Sequence, residues 1–195
     1  MYVARHGETE WNVKGLIQGH TDSALTKEGI IQAKNLAKEL KHIRFNAAYS
    51  SDLLRAKRTA KIVALEHQLI VKTTEALRER SFGIHEGSSR KVLDLLEQLN
   101  NKQITRDLEN IETDEKLTTR IITFLREIAV AHPNKTVLVV THGGVLVRLL
   151  VHFGYFTRHE VKQFSFGNTS YIKLISDGVD FFVKGTKRIE KRKTL

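Results

Sequence analysis

KTVLVVTHGG, residues 135–144, decides the architecture. Val137, Leu138, Val139 and Val140 form a continuous, largely β-branched apolar run. A strand with one wet face alternates polar and apolar residues; an unbroken run is covered on both faces, as inner strands of a parallel sheet are. HPNK before it is a turn signal, and Gly143 opens an apolar helical stretch, VLVRLLVHF. The segment therefore predicts strand, tight crossing and helix, the repeating unit of an α/β sheet. Ligands of such sheets bind beyond the carboxyl ends of the strands, where His142 stands.

The start of the chain follows the same plan: Tyr2, Val3 and Ala4 run straight into Arg5, His6 and Gly7. FNAAY (45–49) and LIVKTTEAL (69–77) read as further strands, and SYIKLIS and DFFVKG, turned by a DG pair, as a closing hairpin. Thr26 is placed to cap a helix to about Lys41, with Ile30, Ala33, Leu36, Ala37 and Leu40 at helical spacing. Residues 50–67 predict a helix started by a serine or aspartate, and residues 91–100 and 115–131 two more. Residues 6–25 read as a long loop. The polar stretch 101–114 lies inside a candidate lid at about 85–115. The expectation is a three-layer α/β/α single domain over residues 1–195, with a mostly parallel central sheet and a small helical lid.

Composition narrows the chemistry. The 195 residues include no cysteine, which excludes disulfides, thiol catalysis and cysteine-ligated zinc. The chain shows no secretory signal and no run of about 18 apolar residues that a membrane span needs, so a cytoplasmic protein is expected. The net charge of +10 is concentrated at the C-terminus, where residues 184–195 carry six positive side chains against one negative. No aromatic residue interleaves with these charges, which disfavours nucleic acid and reads as a solvated or frayed tail. Steering of anionic partners is the alternative use for it.

Two strand-end His-Gly units on one sheet edge are far more specific than two scattered histidines. Arg5 adjoins the first, and Arg55, in the first turn of its helix, is placed to reach the same edge. Two guanidiniums and two histidines converging without metal-ligating carboxylates describe a phosphate cage.

VARHGETEWN (3–12), YSSDLLRAKRTA (49–60), LRERSFGIHEG (77–87) and VVTHGG (139–144) together resemble, in order, the four motifs of the histidine phosphatase superfamily, the phosphoglycerate-mutase-like proteins. The resemblance implies a phosphoglycerate-mutase-like fold with His6 as nucleophile, passing through phosphohistidine. It implies that Arg5, Arg55 and a protonated His142 hold the phosphoryl group, with Asn12 helping, and that Glu79 is the proton donor. Gln18, Gly19 and His20 of the QGHTDS loop, with Gly143, are expected to bind phosphate or substrate. No metal and no cofactor are expected. The short segment after the acid motif, and QGHTDS where mutases carry a GW pair, resemble the phosphatase branch. The expected activity is hydrolysis of small phosphorylated metabolites. A cofactor-dependent phosphoglycerate mutase is the first alternative and an inactive phospholigand-binding module the second. The natural substrate, and whether the chain forms a homodimer, are left open.

Overall fold

The computed structural model describes residues 1–89, 91 and 111–192. Its centre is a six-stranded sheet built from β1 (Tyr2–Arg5), β2 (Ala47–Ser51), β3 (Val71–Thr74), β4 (Val137–Thr141), β5 (Phe164–Ser176) and β6 (Phe181–Lys191). The spatial order is β3-β2-β4-β1-β5-β6. The first four of these are mutually parallel; at one side β5 pairs antiparallel with β1 and β6 antiparallel with β5. The sheet is thus mostly parallel, as expected.

Period-two alternation sorts the core into two layers. Tyr2, Ala4, Leu138 and Val140 face α2 (Lys27–Leu40) and α3 (Leu54–Leu65), meeting Leu36, Leu40, Ala60 and Val63. Val3, Val137 and Val139 face the other way, onto α4 (Asp114–Ala131) and α5 (Gly143–His152). Every residue of β4 is buried, which is why its sequence does not alternate.

Several elements depart from expectation. The loop after β1 contains one turn of helix, α1 (Glu10–Val13), closed by a capping box between Thr9 and Asn12. α2 starts at Thr26 as expected, but α3 has no cap from its own serine or aspartate. Leu53 precedes it, and the Leu54 N–H donates to Oδ2 of the distant Asp22 at 2.8 Å. The basic tail is neither frayed nor merely solvated: residues up to Lys191 pair with β5 as the outer strand of the sheet. Lysines on an exposed edge discourage pairing with another sheet, a use of charge that composition alone does not reveal. The expected helix at 91–100 and most of the lid, including 101–110, lie outside the described residues. No helix among the described residues is long and apolar enough to cross a membrane.

Candidate active site

Register alone brings the two His-Gly units together. β1 and β4 are parallel neighbours with Arg5 opposite Thr141, so His6 and His142 leave the sheet at one level. The His6 N–H donates to the Thr141 carbonyl at 3.0 Å, and the two imidazole rings lie 5.2 Å apart. His6 Nδ1 is 2.7 Å from the Gly7 carbonyl. A carbonyl only accepts, so Nδ1 carries a proton, which in the neutral ring leaves the lone pair on Nε2. Gly7 is required by packing: a Cβ there would overlap the carbonyl of Gly29, in the first turn of α2. Its N–H donates to Thr59 Oγ1 at 3.0 Å, and that hydroxyl donates to the Arg55 carbonyl at 2.8 Å.

Arg55 is 1% exposed, and its guanidinium is fixed from three sides. It donates to the carbonyls of Gly19 at 2.6 Å and Thr21 at 2.9 Å, and pairs with Asp22 at 3.1 Å. Asp22 therefore caps α3 with one oxygen and orients Arg55 with the other. The loop it belongs to is itself anchored by Glu86, whose carboxylate accepts from the backbone N–H groups of His20, Thr21 and Phe82 and from the Thr21 hydroxyl. These bonds hold the Glu86 carboxyl below the usual range despite its partial burial.

Glu79 bridges two elements. Oε1 accepts the Arg80 N–H at 2.8 Å, and Oε2 accepts the Gly144 N–H in the first turn of α5 at 2.9 Å. A Cβ at Gly144 would collide with this carboxylate, which gives the second glycine of THGG its reason. Arg120 on α4 holds the same segment by donating to the carbonyls of Ala76, Arg78 and Glu79, and pairs with Glu112 at 2.7 Å. Arg5, His6, Asn12, Arg55 and Glu79 all line one cavity of about 590 Å³ at this edge of the sheet.

A family model of the histidine phosphatase superfamily (branch 1) matches residues 1–187. The chain belongs to that superfamily. Among its histidine phosphatase relatives is the "Uncharacterized phosphatase PhoE" of Bacillus subtilis, 35% identical over 148 residues, covering 76% of this chain and 74% of that protein. A solved phosphoglycerate mutase from Bacillus anthracis superposes with a TM-score of 0.80 at 29% identity, covering 94% of this chain and 90% of the other. The phosphoserine phosphatase of Entamoeba histolytica, solved with 3-phosphoglyceric acid, gives 0.77 at 28% identity over 95% and 94%. The histidine phosphatase fold is thus shared with both phosphatases and mutases.

The expected phosphatase site divides into residues that reach the cavity and residues that do not. Gln18, Gly19 and Gly143 line it with those named above. Asn12 does so with Oδ1 accepting from the Thr9 N–H and from Asn168 Nδ2, both at 3.1 Å, so its NH2 is what it can offer a ligand. His20 does not line the cavity: its Nε2 lies 2.9 Å from the Glu79 carbonyl, which makes it a support for the acid's segment. Asp22 and Glu86 lie in stretches the sequence singles out, QGHTDS and LRERSFGIHEG, without their roles being readable there, and Asn168 and Arg120 carry no signal beyond their residue types.

His142 requires a correction. It is wholly buried behind His6, and neither ring nitrogen has a hydrogen-bond partner among the described residues. Burial first, then the charges of Arg55, His6, Arg5 and Arg120, push its pKa well below the ordinary histidine value. The resting site therefore holds it neutral, not as the expected imidazolium. Above pH of about 6.5 the ring is neutral in both folded and unfolded chains and contributes nothing to pH dependence. Below that, only the unfolded chain takes up the proton, so stability falls as pH falls. His142→Gln removes this slope. Denaturant melts should show wild type losing about 1 kcal/mol more than the variant between pH 7 and 5.5. His67, His152 and the amino terminus, the last pushed down to about 6, are common to both proteins and cancel. Equal slopes would mean that His142 is charged in the folded protein.

Proposed function

We propose that this chain is a metal-independent phosphomonoesterase that hydrolyses small phosphorylated metabolites through a phosphohistidine on His6. The observation that carries the reading is the fixed tautomer of His6, with Nδ1 bonded to the Gly7 carbonyl, in a cavity it shares with Arg5, Arg55 and Glu79. In the first step the Nε2 lone pair attacks phosphorus, the bond from phosphorus to the ester oxygen breaks, and Glu79 gives that oxygen a proton. In the second, water attacks the phosphohistidine, Glu79 takes its proton, and the N–P bond breaks to release inorganic phosphate. Arg5 and Arg55 stabilise the charge spread over the transferring oxygens, the main demand of phosphoryl transfer.

A mutase is the second reading, favoured by the superposition on the B. anthracis protein. The two differ in mass balance. With a phosphomonoester as sole phosphorylated reagent, we expect stoichiometric free phosphate. Turnover that depends on added bisphosphoglycerate and conserves organic phosphate would establish the mutase instead.

A further inference from the structure

The phosphoryl chemistry leaves one cation of the cavity without a task. The described residues lining it include three arginines, Arg5, Arg55 and Arg192, against a single carboxylate, Glu79. Arg192 follows directly on β6, and the pairing of β6 with β5 carries it back over the sheet edge to the cavity. Its N–H donates to the Gln163 carbonyl at 2.7 Å and its Nε to the Phe164 carbonyl at 3.2 Å. Arg5 donates to the carbonyl of Phe166, two residues along the same strand. Carbonyls two residues apart on a strand point the same way and lie about 7 Å apart. The two guanidiniums are thus spaced along one wall, that of Arg5 beside His6 and that of Arg192 further out.

With Nε committed to Phe164, the Nη1 and Nη2 fork is what Arg192 presents, and no carboxylate among the described residues forms an ion pair with it. A guanidinium stays charged at all physiological pH values, and its planar fork matches a carboxylate or phosphate. Phe164 and Phe166, whose carbonyls hold the two guanidiniums, also line the cavity. We infer that Arg192 reads a second anionic group on the substrate, so that the preferred phosphomonoesters carry a carboxylate or second phosphate a few bonds from the ester. This rests on the phosphatase reading of the cavity.

Matched pairs test it: 3-phosphoglycerate against glycerol 3-phosphate for the carboxylate, and propane-1,3-diol bisphosphate against its monophosphate for the phosphate. Wild type should favour the more anionic member of at least one pair in kcat/KM. Arg192→Gln should lower kcat/KM for that member about tenfold and leave the other member, and p-nitrophenyl phosphate, within twofold. Arg192→Lys should recover part of the loss, since the charge returns without the fork. The pair affected identifies the anion. Absence of preference in wild type, or equal loss on both members, overturns the inference while p-nitrophenyl phosphate turnover upholds the phosphatase reading. If no ester is turned over, that reading fails by itself; calorimetric binding of the same pairs to wild type and Arg192→Gln then decides the role of Arg192 in the same way.

Discussion

His6→Ala protein should release phosphate at a rate lower than wild type by on the order of 10⁴-fold or more, on every ester tested. No other histidine of the described structure can take the role by a small movement. His142 lies behind His6, wholly buried, with its ring 5.2 Å away. His20 is bonded to the Glu79 main chain. A second readout separates chemistry from folding: rapid acid-free quenching of wild type with labelled substrate should trap acid-labile, base-stable phosphate on the protein, and the variant should trap none. The variant leaves the Gly7 carbonyl without its side-chain donor, which costs about 1 kcal/mol, so it should still unfold cooperatively. Turnover above about one per cent of wild type in a folded variant would show that water attacks phosphorus directly.

The parts of the site legible in the sequence are those fixed by sheet register. An apolar run, a His-Gly pair and a following helix are local patterns, and parallel pairing of two such units forces both histidines to one edge. Arg55 was legible for a related reason, since a first-turn helix residue after a strand faces the same end. The supports were not. Asp22, Glu86, Arg120 and Asn168 are single polar residues in loops, on a helix and on a strand, and their roles arise through contacts with segments 32 to 66 residues away or further. No periodicity encodes such contacts. The charge of His142 was misjudged because a sequence does not show depth: the residue that looked like a ready cation is enclosed on all sides. The closing hairpin is legible up to Gly185, but the continuation of its second strand to Lys191 is not, because lysines and arginines obscure the alternation. Only Phe181, Val183 and Ile189 mark the inner face, while Arg188 turns aside to Glu39.

Glu79→Gln should separate substrates by leaving group. An alkoxide leaves poorly without a proton, so hydrolysis of an alkyl phosphate should fall by about 10²- to 10³-fold. Nitrophenolate leaves unaided, and p-nitrophenyl phosphate should lose less than about tenfold in the step that cleaves the ester. The ratio between substrates is the diagnostic quantity, because the variant also perturbs the fold locally. Glu79 receives one backbone N–H on each oxygen, from Arg80 and from Gly144. An amide has one acceptor oxygen, so its NH2 must face one of those two donors. That mismatch shifts the side chain for all substrates alike and lowers both rates by a common factor. A bond to Gly144, in the first turn of the helix that follows His142, makes the common factor sensitive to the same edge of the sheet that carries His6. Dephosphorylation of the enzyme also needs Glu79 as base, so steady-state rates on the aryl ester will level off while the pre-steady-state burst of nitrophenol persists. A burst slowed by less than about tenfold with a slow steady state, together with the larger loss on the alkyl ester, assigns both proton transfers to Glu79. Equal loss on alkyl and aryl esters, with the burst slowed as well, would remove Glu79 from the chemistry and leave it as a brace between the two loops.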